Sequence, residues 1–117
     1  MTPITHNPLF WLELDKLVSE NKVVIDRPRG SVHPRFPDFA YPVDYGYIEG
    51  TRAVDGGAVD IWVGTALPKT IDAIMCTIDP AKKDVEIKVL YGCTPEEKKV
   101  IYEVHNRKMK GILIERA

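Results

Sequence analysis

The stretch that decides the fold reads Tyr41-Pro42-Val43-Asp44-Tyr45-Gly46-Tyr47-Ile48, and after a short connection Val54-Asp55-Gly56-Gly57-Ala58-Val59-Asp60. Its first half is aromatic and strand-like from Tyr41 to Ile48. Gly50 then begins a turn. Asp55-Gly56-Gly57 is a tight turn, because glycine and aspartate accept turn conformations at little cost. It feeds a second strand over Val59 to Gly64.

Upstream, Asn7-Pro8 reads as an N-cap followed by proline at the first helical position, where its missing N–H costs nothing. Phe10, Trp11, Leu14, Leu17 and Val18 recur at helical spacing, so a helix is expected to about Glu20, with Asn21 ending it. Lys22 to Asp26 is short and β-branched, hence a strand. Between Arg27 and Pro42 stand Pro28, Pro34, Pro37, Gly30 and the arginines 27, 29 and 35. That is an irregular basic loop, too rich in proline for a helix or a central strand.

Downstream, Ile71 to Ile78 alternates with a period of two. Residues 79–83 make a hairpin loop, and Val85, Ile87 and Val89 alternate with Asp84, Glu86 and Lys88 as a further strand. Thr94-Pro95-Glu96-Glu97 is a capping box, predicting a helix to about Lys108 with Val100, Ile101 and Val104 inward. Ile112 to Ile114 closes the chain as a short strand. Short strands with a helix at each end give an α+β fold, the strands curled into a small barrel.

One domain over residues 1–117 is the default at this length. With 44% hydrophobic and 28% charged residues the chain can bury a core. A net charge of −1 argues against a nucleic-acid binder relying on bulk attraction to phosphate. Cys76 and Cys93 fit no metal spacing and read as free thiols. No apolar run approaches the roughly 18 residues a membrane helix needs. Met1 to His6 has neither a basic start nor an apolar core, so no signal peptide is expected and the cytosol is the expected compartment.

Several residues can carry chemistry. Asp55 and Asp60 bracket the Gly-Gly turn and the start of its strand, and Asp79 and Asp84 bracket a hairpin with the same five-residue spacing. Carboxylates converging on one rim repel unless a cation neutralises them, and hard oxygens with room for water suit Mg²⁺. The plainer reading is that turn aspartates hydrogen-bond their own backbone. Tyr41, Tyr45 and Tyr47 lie close together in the aromatic strand.

The two quoted segments resemble the core of the soluble (family I) inorganic pyrophosphatases. That family carries Tyr-Pro-x-Asn-Tyr-Gly-(Phe/Tyr)-Ile followed by Asp-Gly-Asp-Pro-x-Asp. Val24-Ile25-Asp26-Arg27-Pro28 is similar to the family's strand before Ile-Pro, with Asp26 in place of a metal-associated glutamate. Arg35 falls where the family has a phosphate-binding lysine. The resemblance covers Val23 to about Val89 and implies a small, closed or partly open antiparallel barrel of OB-like type. It implies metal at Asp55, Asp60, Asp79, Asp84 and Asp26, with Mg²⁺ as the cofactor and Mn²⁺ an alternative. Asp55, Asp60 and Tyr45 would be the catalytic groups, and Arg35, Arg29 and Tyr45 would contact the substrate. It further implies a pyrophosphate or other phosphate-containing small-molecule substrate, and a homo-oligomer; Phe36, Phe39 and Trp62, expected to be exposed, suit such association.

The sequence departs from that pattern. The family's central aspartate, implicated in activating water, is Gly57 here, and the following proline is Ala58. Its lysine two residues past the last aspartate is matched to Glu86, a reversal of charge. Its arginine between the first lysine and the Tyr-Pro segment has no clear counterpart. A tyrosine–lysine pair on the last helix is replaced by His105-Asn106. Asp44 or His105 could replace the lost base; alternatively they are a turn carboxylate and a solvated helix residue. Likewise the loop of Arg27, Arg29, His33 and Arg35 either receives phosphate or is a solvated loop. Lys82-Lys83 and Lys98-Lys99 are expected to be exposed.

Two readings follow, with a weaker third. One is a slowed metal-dependent hydrolase of pyrophosphate or a related phosphoanhydride. The other is a non-catalytic relative that binds metal and phosphate or a nucleotide. The weakest is a module stacking single-stranded nucleic acid on Tyr41, Tyr45 and Tyr47 beside Arg29.

Overall fold

A computed structural model describes residues 2–116. The elements are α1 (Pro8–Ser19), β1 (Val23–Arg27), β2 (Asp44–Ile48), β3 (Val59–Val63), β4 (Ile71–Asp79), β5 (Asp84–Tyr91), α2 (Pro95–Val104) and β6 (Lys110–Glu115). The strands form one six-stranded sheet in the order β1-β2-β3-β5-β4-β6. It is an α+β fold with a helix before and after the main strands. The sheet is open, with β1 and β6 as its edges. It is antiparallel except where β3 runs parallel to β5, pairing Ile61 with Val89 and Trp62 with Leu90.

Local chemistry sets the helices. Asn7 accepts from the Phe10 amide at 3.2 Å, and the Asn21 side chain donates to the Leu17 carbonyl at 2.8 Å, so α1 is capped at both ends. The capping box at Thr94 and Glu97 forms as the sequence requires. However, α2 stops at Val104 instead of Lys108 because His105 turns into the core. The Asn106 side chain then donates to the carbonyls of Tyr102 and Gly111 and accepts the Gly111 amide, redirecting the chain into β6.

The sheet register sorts side chains onto two faces. One face buries Ile48, Ile61, Ile71, Ile74 and Val89 beneath Trp11 and Val18 of α1. The other gathers Tyr41, Val43, Trp62, Ala73, Met75 and Leu90 beneath Ile101 of α2, with Val100, Val104 and Tyr45 packed alongside. The glycine of Tyr45-Gly46-Tyr47 is explained by strand contact: a Cβ there would collide with the Val24 carbonyl on β1.

Three expectations are corrected. Trp62 is 1% exposed, so it offers nothing to a partner, and Phe39 is half-buried; Phe36 alone of the three expected aromatics stands out. Lys98 is not a solvated charge: it lies against the sheet, 3.1 Å from Asp72 and 3.7 Å from Glu115. In β5 the alternation is inverted at one end. Lys88 is buried at 6% exposure, whereas Val85 and Ile87 are 61% and 50% exposed. The reason is coverage: α1 is too short to shield that end of its face.

Candidate active site

The face under α2 turns polar beyond Trp62 and Leu90. Asp60 precedes Trp62 by two residues on β3, and Lys88 precedes Leu90 by two on β5, so the parallel register brings them side by side. The Lys88 ammonium donates to Asp60 Oδ2 at 2.8 Å, to Tyr45 Oη at 2.9 Å and to Glu86 Oε2 at 3.1 Å. All three of its protons are thereby used. Burial works against its charge, but Tyr45 and Asp60 more than offset this and raise its pKa. Burial, first of all, raises the Tyr45 phenol too, so that hydroxyl stays protonated. The result is a hydrogen-bonded quartet in which two carboxylates share one ammonium. Tyr45 stacks against Tyr41 at 5.4 Å and packs on Trp62 at 4.6 Å, which fixes its ring.

Lys88 is the functional residue that sequence reasoning passed over. The alternation puts it on the polar side of its strand, and nothing in the alternation says which side lies inward. A signal is present: a carboxylate-x-lysine order occurs at Glu86-Ile87-Lys88, two residues after Asp84-Val85-Glu86.

The remaining expected acids lie around this quartet. Asp79 and Asp84 are direct cross-strand partners at the β4–β5 hairpin. Asp79 Oδ1 accepts the Ala81 and Lys82 amides at 3.0 and 3.1 Å, so this aspartate shapes its own turn. Four residues along β5, about 13 Å, separate Asp84 from Lys88. Asp55 is exposed in the β2–β3 turn and accepts the Gly57 amide at 3.0 Å. That turn lies at the same end of the sheet as the β4–β5 hairpin, because β3 and β5 start there in parallel. Asp26 is exposed on edge strand β1, at the irregularity between Ile25 and Arg27. Among the described residues, no three His, Cys, Asp or Glu side chains are grouped so as to hold a metal ion.

The basic loop folds back on the same face. Val32 bridges Ala40, and His33 lies 4.8 Å from the Phe36 ring and 6.2 Å from that of Tyr41. Burial lowers the pKa of His33, and Arg27, Arg35, Lys82 and Lys108 add to that. Cations from the loop, the β4–β5 hairpin and the segment after α2 thus converge around His33. Arg29 and Arg35 are exposed. The Arg29 amide is held by Asp44 Oδ1 at 2.8 Å, so Asp44 anchors this loop.

His105 is not a solvated helix residue. It is 7% exposed, and its Nε2 accepts the Trp62 indole N–H at 3.1 Å. Burial, then Lys88, lower its pKa to about 4. Cys76 and Cys93 are free thiols, and burial pushes Cys93 up to about 12. Two hollows, of about 270 Å³ between α2 and β6 and about 620 Å³ along α1, contain none of the expected site residues.

No protein-family model and no curated protein matches the chain. Solved structures do. An inorganic pyrophosphatase from Helicobacter pylori superposes with a TM-score of 0.53 at 12% identity, over 80% of this chain and 81% of that one. An inorganic pyrophosphatase from Coxiella burnetii gives 0.47 at 20% identity, over 74% of this chain and 64% of that one. An inorganic phosphatase from Anaplasma phagocytophilum gives 0.46 at 22% identity, over 73% and 63% respectively. The chain thus matches less than two thirds of the length of the last two. At these identities the likeness concerns architecture. The chain has the fold of the soluble inorganic pyrophosphatases, matched in part and at low identity.

Proposed function

We propose that the protein hydrolyses inorganic pyrophosphate or a related phosphoanhydride with the help of Mg²⁺ or Mn²⁺, slowly because no carboxylate stands at Gly57. One observation carries this reading. A single sheet face holds Asp60, Glu86, Lys88 and Tyr45, with an opposed aspartate pair at one end and a basic loop folded against it. Charge of both signs on one face suits a substrate that arrives as a cation–phosphate complex.

A divalent cation of the Mg²⁺ kind calls for hard oxygen donors. Asp79 and Asp84 fit: they are hard oxygen donors directly opposed across two strands, an arrangement that is unfavourable without a neutralising charge. Asp55 stands on the turn at the same end and Asp26 on the edge strand. Asp60 is already engaged by Lys88. When bound, a divalent cation supplies charge neutralisation on the phosphoanhydride oxygens and a water of lowered pKa. The chain's own residues do the rest. Arg35 and Arg29 clamp phosphate oxygens from the loop. Tyr45 is held rigid by its ring contacts and presents its hydroxyl beside Asp60. Asp55, on the turn at the hairpin end, orients the attacking water, without the stronger base that a carboxylate at position 57 would supply, a loss of about 10²–10⁴-fold.

A second reading is a non-catalytic binder of phosphate or nucleotide, favoured by Gly57 and by the full use of Lys88's protons. In either case the chain is read as one domain working in the cytoplasm without nucleic acid, as a homo-oligomer. Among the described residues, no helix is long and apolar enough to cross a membrane. The deciding assay is phosphate release from pyrophosphate with Mg²⁺ or Mn²⁺, beside the double variant Asp79→Asn/Asp84→Asn. Release that the double variant abolishes supports the hydrolase. Pyrophosphate binding by calorimetry without any release leaves the second reading.

A further inference from the structure

We propose that Lys88 is a resident cation: its ammonium fills the place between Asp60, Glu86 and Tyr45 where a divalent ion would otherwise bind. This rests on the proposed reading only in placing metal on the same face. The inference itself comes from the geometry at Lys88.

Three oxygens converge on one point from three strands, with separations from Lys88 Nζ of 2.8, 2.9 and 3.1 Å. Two of them are carboxylate oxygens. Without the lysine, Asp60 and Glu86 would be two negative charges on neighbouring strands, only partly exposed at 33% and 23% of their side chains. Such a pair needs a positive charge to persist. Hard oxygens at the rim of a sheet would take it from a hydrated divalent ion. Here the chain supplies it.

The ammonium is not free to leave. Lys88 lies on β5, which has β3 on one side and β4 on the other, and the next residues, Val89 and Leu90, are wholly buried. Its side chain is 8% exposed and makes three charge-assisted hydrogen bonds, so swinging it into solvent would give up all three and leave Asp60 and Glu86 without their cation. A divalent ion at Asp60 would have to sit beside a trapped ammonium, and like charges at that distance repel strongly in a partly buried site. With all three protons engaged, Lys88 donates nothing to a phosphate either. It is a positioning residue that holds Asp60 and Tyr45 in fixed geometry and keeps this part of the face free of metal. Divalent ions are then confined to the β4–β5 hairpin end, about 13 Å along the strand.

The test counts metal rather than activity. Mn²⁺ binding is measured by titration calorimetry and by the loss of its free-ion resonance signal for wild type, Asp60→Asn, Lys88→Met and Lys88→Met/Asp60→Asn. Wild type and Asp60→Asn should bind the same number of ions with affinities within about twofold. Lys88→Met, which keeps the bulk and removes the charge, should gain one ion, and the double variant should lose it again. Loss of an ion in Asp60→Asn relative to wild type overturns the proposal, as does a Lys88→Met protein that gains none. Should Lys88→Met fail to fold, the comparison of wild type with Asp60→Asn decides alone. Wild type that binds no Mn²⁺, with Lys88→Met gaining one, would remove metal from the proposed function and leave the resident cation standing.

Discussion

His105 Nε2 accepts the Trp62 indole N–H, so the ring must be neutral with its proton on Nδ1. Protonation would set donor against donor inside the core, in keeping with a pKa lowered to about 4. The unfolded chain takes up the proton near pH 6.5. Stability is therefore fully present above that value and falls as pH drops from about 6.5 towards about 4. His105→Gln keeps an acceptor for the indole and cannot titrate. Urea midpoints at pH 7 and pH 5 should show wild type losing about 2 kcal/mol more than the variant over that interval. Equal losses in the two proteins would mean that the imidazole carries no such penalty. At this scale the sequence was a partial guide. His105 was noticed as a titrating group, yet its burial depends on Trp62, which precedes it by 43 positions. Lys88 was missed for the same reason: its partners Asp60 and Tyr45 are 28 and 43 positions away.

Elements set by neighbouring residues were readable, and α2 shows how far that goes. Thr94, Pro95 and Glu97 mark its start without reference to anything distant, and the helix begins where they place it. Its end was overestimated because a core contact made by His105 stops it. Glu97 also has a second task that local pattern does not reveal. Besides the Thr94 amide at 2.8 Å, its carboxylate accepts the Thr65 amide at 3.1 and 3.2 Å and the Thr65 hydroxyl at 3.1 Å. The helix cap is thus also the anchor of the loop between β3 and β4. Burial alone would raise the pKa of this carboxyl, but the Thr94 and Thr65 hydrogen bonds win and lower it. Thr94→Ala removes the cap and should cost about 1 kcal/mol. Glu97→Ala keeps the backbone N–H that the Thr94 hydroxyl caps, but removes the reciprocal bond to the Thr94 amide and the whole Thr65 anchor, and should cost about 1 kcal/mol more than Thr94→Ala. Because the Glu97 carboxyl titrates lower when folded, that extra stability should fade as pH falls below about 4.5. Denaturant titrations of the two variants at pH 7 compare the costs directly, and equal values would deny Glu97 its role at the loop.

Across the whole molecule, what the sequence could not show was the strand order. Antiparallel neighbours such as β4 and β5 follow from a short hairpin, but the parallel pairing of β3 with β5 skips over β4 and has no local mark. That crossing brings Asp60 to Lys88, and it also settles which side of β5 lies under α2. The opposite side leaves an apolar row beyond the reach of α1. Ile78 pairs with Val85, and Cys76 pairs with both Ile87 and Ile112, so these residues are contiguous across β5, β4 and β6. Ile78, Val85, Ile87 and Ile112 are each at least half exposed. Such a row is costly in water and suited to association, with about 800 Å² per partner the usual scale of a stable interface. It replaces Trp62 and Phe39 as the surface through which copies of the chain would meet. Ile87→Lys/Ile112→Lys should therefore shift the protein towards monomer in sedimentation velocity at tens of micromolar. Its circular dichroism should match wild type, because both side chains already touch solvent. A wild-type protein that sediments as a monomer at that concentration would leave the row without this role, and an oligomer unchanged by the two lysines would place the interface on another face.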